Sequence, residues 1–294
     1  MTVETIGVRP QTRIGVRRRF SRLGSVPDFA GTVYLVGAGP GAPDLLTLRA
    51  ARLLAEADIV FYDALVHPET LALAARAEKI AVGKRCGRHS TAQRFINKRL
   101  ADAARRHRVV VRLKGGDPML FGRAQEEISF LKENSINVEV VPGITAALAA
   151  SAELGVSLTQ RLVSRSVVLA TPRTVEGAEP SGWEKAVAAA DTAVLYMAGG
   201  EAEAVKQALL RHGMSATTPV AVAENVSLYS SSVRCGNLAA LPDLAAALKG
   251  GPALVLIGEV FAALEAQRNL PSTSGKVISV AAAAFGLRSA SQSA

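Results

Sequence analysis

The sequence predicts an α/β protein made of two α/β domains, the first with a mostly parallel sheet and the second with a mixed sheet. Short runs of β-branched and aliphatic residues alternate with segments of helical hydrophobic period, which is typical of strand–helix–strand units. Two predicted strands run directly into glycine-rich loops, and Pro142-Gly143 marks a hinge. Because ligands of open α/β sheets bind beyond the carboxyl ends of the strands, we expect a ligand site at that edge of the first sheet.

We place the N-terminal domain at residues 31–142. Asp44 or Thr47 can cap its first helix. The buried stripe of that helix is predicted to include Leu48, and the buried stripe of the third helix is predicted to include Phe95. The predicted strands are 32–36, 59–62, 80–82, a strand that begins at Val109, and 138–141, and the predicted helices are 48–56, 68–77, 91–107 and 125–132.

The strand that begins at Val109 leads into the most informative loop. Three consecutive valines fit a central strand covered on both faces, and the loop Gly115-Gly116-Asp117-Pro118 follows. The two glycines permit a positive φ and a close approach of other groups to the backbone. We expect this loop at the ligand-binding edge of the sheet, with Arg112 and Lys114 beside it. An ordinary strand-to-helix turn with solvated cations is the alternative.

The first glycine loop, residues 37–41, resembles a dinucleotide-binding loop only superficially. Pro40 removes a backbone N–H donor, and no helix begins directly after the loop, whereas a phosphate cradle needs both. We therefore expect no NAD. The next strand delivers Asp63 to its carboxyl end, where the carboxylate is either a functional group or a turn cap.

The C-terminal domain is placed at residues 143–265. Thr145 is predicted to cap a helix that ends near residue 154, with further helices at 201–211 and 238–248. The predicted strands are 166–170, 192–197, 219–223 and 253–257. We expect residues 1–30 to form a basic, disordered arm and residues 266–294 to form a Ser/Ala-rich tail.

Composition excludes several function classes. The net charge of +9 is compatible with nucleic acid or an acidic small molecule as partner, but aromatic residues make up only 4% of the chain, which argues against base stacking. No apolar run reaches the ~18 residues that a bilayer span requires. Only Cys86 and Cys235 are present, which favours a reducing cytoplasm. The histidines are scattered, so no metal site is predicted.

Several motifs occur together and in order. They are Val33-Tyr34-Leu35-Val36-Gly37-Ala38-Gly39-Pro40-Gly41, Tyr62-Asp63-Ala64-Leu65-Val66, Val82-Gly83-Lys84, residues 112–118, Phe121-Gly122-Arg123 and Val141-Pro142-Gly143-Ile144-Thr145-Ala146. Over residues 31–265 the chain resembles the tetrapyrrole (precorrin) methyltransferase family. The pattern from Val82 to Asn97, together with 113–118, resembles the uroporphyrinogen-III C-methyltransferases within that family.

The resemblance implies two α/β domains of the tetrapyrrole methyltransferase type, a homodimer, and S-adenosyl-L-methionine as methyl donor in the cleft between the domains. The implied cofactor-binding residues are Pro40, Gly115, Gly116, Asp117, Leu120, Thr145, Ala146, Met197 and Val226. Acid–base roles are implied for Asp63 and Lys84. An acceptor with eight carboxylates would meet a cleft lined with cations, which are Arg85, Arg88, Arg112, Lys114, Arg123 and Arg161.

The physical chemistry of these residues agrees with such a donor. A sulfonium cofactor carries no phosphate, so Pro40 is no handicap, and the soft thioether of Met197 suits it, although core filling is the alternative for that side chain. The implied reaction is C-methylation of uroporphyrinogen III at two ring carbons, through precorrin-1 to precorrin-2, with S-adenosylhomocysteine released. Asp63 would accept the ring proton or stabilise positive charge.

Departures from the family pattern leave the acceptor open. Gln160 and Arg173 replace histidines, and Val226 replaces a glycine that approaches the cofactor. The alternatives are another precorrin methyltransferase of the same fold with a different acceptor, and a non-catalytic basic binding protein. The sequence does not decide between siroheme and cobalamin as end product, and we expect no NAD-dependent dehydrogenase or ferrochelatase activity.

Overall fold

A computed structural model describes residues 31–82, 93–173 and 182–264. The predicted basic arm, the loop that holds Lys84, Arg85 and Arg88, and the Ser/Ala-rich tail lie outside these described residues. Within them the chain forms two five-stranded sheets, one built from residues 32–141 and the other from residues 167–258. The predicted α/β class, with a parallel sheet followed by a mixed one, is confirmed.

The N-terminal sheet is parallel at every pairing, in the order β3-β2-β4-β1-β5. Its strands are β1 (Thr32–Gly37), β2 (Ile59–Tyr62), β3 (Glu78–Ala81), β4 (Val109–Lys114) and β5 (Asn137–Val141), and its helices are α1 (Leu48–Glu56), α2 (Pro68–Ala72), α3 (Gln93–Ala104) and α4 (Ala124–Glu133). The central strands β4 and β1 are mostly apolar because helices cover both faces, as parallel sheets require. One face packs on α3 and α4 and the other on α1.

The C-terminal sheet has the order β6-β7-β10-β8-β9, with one parallel pair, β6 and β7, and antiparallel pairs elsewhere. Its strands are β6 (Val167–Ala170), β7 (Thr192–Tyr196), β8 (Pro219–Glu224), β9 (Ser232–Asn237) and β10 (Ala253–Gly258), and its helices are α5 (Ala146–Leu154), α6 (Trp183–Ala189), α7 (Ala202–Arg211) and α8 (Leu241–Ala246). Apolar clusters fill both faces of this sheet as well.

Two predicted buried side chains are exposed. Leu48, the first residue of α1, is 83% exposed, because the buried face of α1 is instead formed by Ala50 and Leu54, one turn apart. Phe95 of α3 is 53% exposed, and the guanidinium of Arg99 lies 5.8 Å from the centre of its ring. Cation–π contact lets the aromatic ring lie at the surface beside a charged side chain.

The sequence reasoning also omitted β9 and α6 and made α2 too long. Strand β9 is an edge strand with only one fully buried residue, so it carries the polar residues that edge strands favour and lacks a clear apolar run. Helix α6 is short and buries only Val187. Helix α2 stops at Ala72, and tight turns through Leu73 and Ala74 follow it.

Candidate active site

Two glycine loops meet at the carboxyl edge of the N-terminal sheet. Strands β1 and β4 are parallel neighbours, so the loops that follow them leave the sheet side by side. The Gly116 N–H donates to the Gly39 carbonyl oxygen (2.7 Å), and the Gly39 N–H donates to the Gly116 carbonyl oxygen (3.2 Å). This reciprocal pair fixes the two loops, including Pro40 and Gly115, against each other.

The hinge segment packs directly on these loops. A Cβ atom placed on Gly143 would lie 2.4 Å from the Gly116 carbonyl oxygen and 2.8 Å from Gly37 Cα. Asp117 closes the contact, because its Oδ2 accepts a hydrogen bond from the Gly143 N–H (2.9 Å) and its Oδ1 accepts one from the Met119 N–H (2.8 Å). Three backbone segments therefore converge with no room for a side chain between them.

Tyr196, at the end of β7, brings the C-terminal half to the same place. Its hydroxyl lies 2.6 Å from Thr145 Oγ1 and accepts a hydrogen bond from the Ala147 N–H (3.0 Å). Thr145 is the N-cap residue of α5 by position, but the prediction that its side chain caps the helix is wrong. The phenol oxygen of Tyr196 takes that role. Burial raises the pKa of Tyr196, and its hydrogen bonds with Thr145 and the Ala147 N–H oppose that rise.

Phe121 and Met197 flank Tyr196 at this meeting point. The Tyr196 ring contacts Phe121 of the segment after the second glycine loop, with ring centres 5.1 Å apart. Met197 follows Tyr196 with φ at +59° and is 45% exposed. A positive φ in a non-glycine residue is a strained conformation that is concentrated at functional sites. The thioether of Met197 is thus presented at the carboxyl end of β7.

The loop after β8 pins the first glycine loop from the other side. The Ala42 N–H donates to Ser227 Oγ (3.0 Å), and the Ser227 N–H donates to Glu153 Oε2 of α5 (2.8 Å). Val226 precedes Ser227 and is buried in the apolar cluster of α5 and the C-terminal sheet. The predicted cofactor residues all lie on these converging segments and their flanks, but their binding roles stay predictions.

Four charged groups form a cluster below the second glycine loop, which we call the charge cluster: Asp63, Arg112, Lys114 and Glu127. Glu127 of α4 is fully buried and accepts hydrogen bonds from Arg112 Nε (3.0 Å) and from Lys114 Nζ (3.1 Å). Arg112 also donates through Nη2 to Asp63 Oδ1 at 2.5 Å. The side chain of Asp63 is 28% exposed, whereas the other three are almost completely buried.

Burial is the main reason why the pKa of Lys114 is lowered, and the neighbouring charge of Arg112 adds to the effect. The carboxylates of Glu127 and Asp63 oppose it. The charge cluster contains two cations and two anions, so its net charge is zero when all four groups are ionised. Charges removed from water to this extent persist when they are paired and hydrogen-bonded.

Comparison with known proteins decides the family. The sequence model of the family of tetrapyrrole (corrin/porphyrin) methylases matches residues 32–242. The chain belongs to this family. The family prediction and the prediction of a methyltransferase are therefore confirmed.

The curated relatives of this methylase are longer proteins. A siroheme synthase of Chromobacterium violaceum is 47% identical over 235 residues, which are 79% of this chain and 50% of the relative. A siroheme synthase of Nitrosococcus oceani is 45% identical over 244 residues, which are 81% of this chain and 51% of the relative. The chain spans about half the length of the curated relatives it matches.

Solved structures share the fold over nearly their whole length. The uroporphyrin-III C-methyl transferase of Thermus thermophilus, complexed with S-adenyl homocysteine, has a TM-score of 0.70 and 39% identity, covering 79% of this chain and all of that one. A cobalt precorrin-4 methyltransferase has the same TM-score of 0.70 at 27% identity, covering 78% of this chain and 95% of the other.

The cations that the sequence assigned to the acceptor differ in their environment. Arg112 and Lys114 are buried in the charge cluster. Arg123 is exposed and forms two 2.7 Å hydrogen bonds with Glu126, and these raise the pKa of Arg123. Arg161 is exposed on a turn closed by the Gln160 and Ser164 backbones. Lys84, Arg85 and Arg88 lie outside the described residues, so their positions stay predictions.

Sequence reasoning missed Tyr196 and Glu127. Glu127 lies on the apolar face of α4 with Ala124, Ile128 and Leu131, all of them buried. An acidic residue inside an apolar helical stripe is a signal that a buried cation faces it, because a lone buried carboxylate is costly. Tyr196 carried no such signal, since a tyrosine at the end of a strand is common.

Neither a metal centre nor a membrane span is found in the part of the chain that the structure describes. No group of three His, Cys, Asp or Glu side chains among residues 31–82, 93–173 and 182–264 is placed to hold a metal ion. None of the helices in these same ranges combines the length and apolar character that crossing a bilayer requires.

Proposed function

We propose that this methylase transfers methyl groups from S-adenosyl-L-methionine to two ring carbons of uroporphyrinogen III, giving precorrin-1 and then precorrin-2. S-adenosylhomocysteine is released at each transfer. The observation that carries the proposal is the convergence of both glycine loops, the hinge and the Tyr196-Met197 segment at one cleft. The S-adenyl homocysteine complex of the Thermus protein supports the same donor, at 39% identity.

The residues around the cleft fit a sulfonium donor. When bound, S-adenosylmethionine supplies an electrophilic methyl group on a cationic sulfur. The backbone of Gly115 and Gly116 is open to close approach because neither residue carries a side chain. The Asp117 carboxylate accepts hydrogen bonds from two backbone N–H groups, so its role is to hold the second glycine loop against the hinge. The half-exposed thioether of Met197 offers a soft, polarisable contact.

The acceptor reacts as a carbon nucleophile. A C–C bond forms between an electron-rich pyrrole carbon and the methyl group, the C–S bond breaks, and its electron pair stays on sulfur. The methylated ring system then loses a proton. Asp63 is the member of the charge cluster that reaches solvent, and its carboxylate accepts that proton. The main contribution of the protein is to hold donor and acceptor in line.

Sequence identity to solved relatives favours uroporphyrinogen III over a later precorrin as the acceptor, whereas structural similarity does not distinguish the two. The two solved relatives have equal TM-scores, but the chain is 39% identical to the uroporphyrin-III enzyme and 27% identical to the cobalt precorrin-4 enzyme. Gln160 and Arg173 are the departures that would alter the acceptor, and Val226 is the one that would alter the cofactor pocket. A later precorrin of the same ring class is therefore the second acceptor to test.

The decisive experiment incubates the purified protein with methyl-labelled S-adenosylmethionine and uroporphyrinogen III. We expect two labelled methyl groups per tetrapyrrole, with the monomethylated species appearing first. If the tetrapyrrole stays unlabelled while calorimetry shows that S-adenosylhomocysteine binds, the assignment of the donor stands and the assignment of the acceptor is refuted. Asp63→Ala is expected to lower turnover by about 10²-fold or more if it accepts the proton.

We also propose that the protein is a cytoplasmic homodimer that supplies the siroheme or cobalamin branch of tetrapyrrole synthesis. The family resemblance supports the dimer, and two cysteines in 294 residues support a reducing compartment. Sedimentation equilibrium of the purified chain tests the dimer, and a single species of monomer mass would contradict it.

A further inference from the structure

The charge cluster has a connectivity that a simple salt bridge lacks. Glu127 holds one cation with each carboxylate oxygen, Arg112 through Oε1 and Lys114 through Oε2. Arg112 extends the chain of contacts to Asp63. Gln93 of α3 donates a third hydrogen bond to the Glu127 carboxylate, at Oε1 (3.0 Å), and also donates to Asn97 Oδ1. The buried end of the cluster is therefore anchored on two helices.

Strand geometry explains why these cations point inward. Arg112 and Lys114 are two residues apart on β4, so they share the face of Val110, which packs on α3 and α4. Each nitrogen of the Arg112 guanidinium has an acceptor: Nε binds Glu127, Nη1 binds the Leu113 carbonyl oxygen (3.2 Å), and Nη2 binds Asp63. The planar guanidinium fork is thereby fixed in orientation.

We infer that Glu127 is a positioning residue for Asp63, acting through Arg112, and that Arg112 and Lys114 serve this arrangement instead of binding the acceptor's carboxylates. The inference rests on the proposed function, in which Asp63 accepts the ring proton. An acceptor carboxylate that took these cations from their partners would have to displace Asp63 from Arg112 or Glu127, which is fully buried, from Arg112 or Lys114. A buried carboxylate that loses its partner is strongly disfavoured.

The electrostatic consequence has a definite sign. Neutralising Glu127 leaves Arg112 and Lys114 facing Asp63 alone, so the cluster changes from net zero to one positive charge as long as Lys114 keeps its proton. That excess favours the ionised form of Asp63 and makes it a weaker base. Removing Lys114 as well returns the cluster to net zero.

Charged groups on the segments that flank the charge cluster have partners of their own in the described part of the chain. Arg123 and Glu126 at the start of α4 neutralise each other, and His67, on the loop that follows Asp63, accepts a hydrogen bond through Nδ1 from the Glu69 N–H. Lys84, Arg85, Arg88 and His89 lie outside the described residues, and they are unchanged in every variant below.

The experiment measures kcat and KM for uroporphyrinogen III across pH in the wild type, in Glu127→Gln and in Glu127→Gln/Lys114→Met. In Glu127→Gln we expect the acidic limb of the kcat profile to move to lower pH by about one unit. We expect kcat at neutral pH to fall by about 3- to 10-fold with KM changed by less than about twofold. The double variant is expected to return the limb toward its wild-type position.

A matched control and a mutant cycle separate positioning from simple support of the fold. Glu133→Gln makes the same charge change at the exposed end of the same helix and should leave the profile unchanged. Glu127→Gln combined with Asp63→Asn should be no slower than Asp63→Asn alone, because Glu127 then has nothing to act through. S-adenosylhomocysteine affinity, measured by calorimetry, reports whether each variant is folded.

Three results would overturn the inference: a KM for uroporphyrinogen III that rises about tenfold at unchanged kcat, an acidic limb that stays in place, or a fully additive loss in the Asp63→Asn background. The first would restore Arg112 and Lys114 as acceptor ligands. A wild-type protein that methylates no tetrapyrrole would instead defeat the proposed function. Should Glu127→Gln fail to bind S-adenosylhomocysteine, the charge-balanced double variant alone decides. Its acidic limb is expected near the wild-type position with KM changed by less than about twofold, and a shifted limb or a KM raised about tenfold would refute the inference.

Discussion

Gly143→Ala tests the convergence of the three backbone segments. The new Cβ atom would lie 2.4 Å from the Gly116 carbonyl oxygen and 2.8 Å from Gly37 Cα. Ordinary carbon–oxygen contacts are near 3.3 Å, so the hinge or the loop must move by roughly 0.9 Å, and overpacking of this kind costs about 1–3 kcal/mol. Gly143 does not have a positive φ, so the effect is steric and owes nothing to backbone strain in the new alanine.

Two assays measure the consequences of this substitution. At about 2–4 °C of Tm per kcal/mol for a protein of this size, Gly143→Ala should melt several degrees lower than the wild type. The displaced loop also carries the Asp117 contact to the Gly143 N–H, so calorimetric affinity for S-adenosylhomocysteine should fall by at least ~10-fold.

Gly200→Ala is the matched control for this prediction. A Cβ atom at Gly200 meets nothing within 4 Å, and its φ is also not positive. It should leave both Tm and affinity near the wild-type values. A Gly143→Ala protein that behaves like Gly200→Ala in both assays would refute the close packing of loop and hinge.

Three further predictions concern the same region. Tyr196→Phe removes the hydroxyl that Thr145 and the Ala147 N–H use, and urea titration should show a loss of about 1–3 kcal/mol in the free energy of unfolding. Because the folded protein lowers the pKa of Lys114, the unfolded state binds more protons between that lowered pKa and the ordinary value of 10.5, so this group makes stability rise with pH in that window. The stability of the wild type relative to Lys114→Met should therefore increase from pH 7.5 to pH ~10, and a constant difference would contradict this. Val226→Gly empties a buried site and should cost roughly 2–4 kcal/mol in the same titration, whereas a loss under ~1 kcal/mol would mean that the loop collapses into the space.

Elements with a strong local signal could be predicted, and elements held by tertiary contacts could not. The helix from Leu48 to Glu56 was placed correctly because Thr47 caps it and its Oγ1 accepts from the Ala50 N–H. Strand β9 pairs with β8 along six residues, yet its own sequence contains Arg234 and Gly236 and offers no apolar run. Its position at the sheet edge, and not its propensity, makes it a strand.

The same distinction applies to the candidate site: positions set by strand order could be predicted, whereas positions set by contacts with another element could not. The meeting of the two glycine loops follows from parallel neighbouring strands, so it could be inferred before any coordinates. The burial of Arg112 and Lys114 needed a further inference. Strand alternation puts both side chains on the same face of β4 as Val110. Helix α4, which covers that face, supplies Glu127 on its buried stripe.

A count of basic residues in the motifs therefore overstates the positive charge available to an anionic acceptor. Of the cations assigned to the acceptor by sequence, Arg112 and Lys114 are neutralised inside the protein by Glu127 and Asp63. Arg123 is paired with Glu126 on the surface, where such a pair is weak and an incoming carboxylate can compete for it. Under the proposed function, recognition of the acceptor's carboxylates falls to arginines outside the charge cluster, while Arg112 and Lys114 act on Asp63.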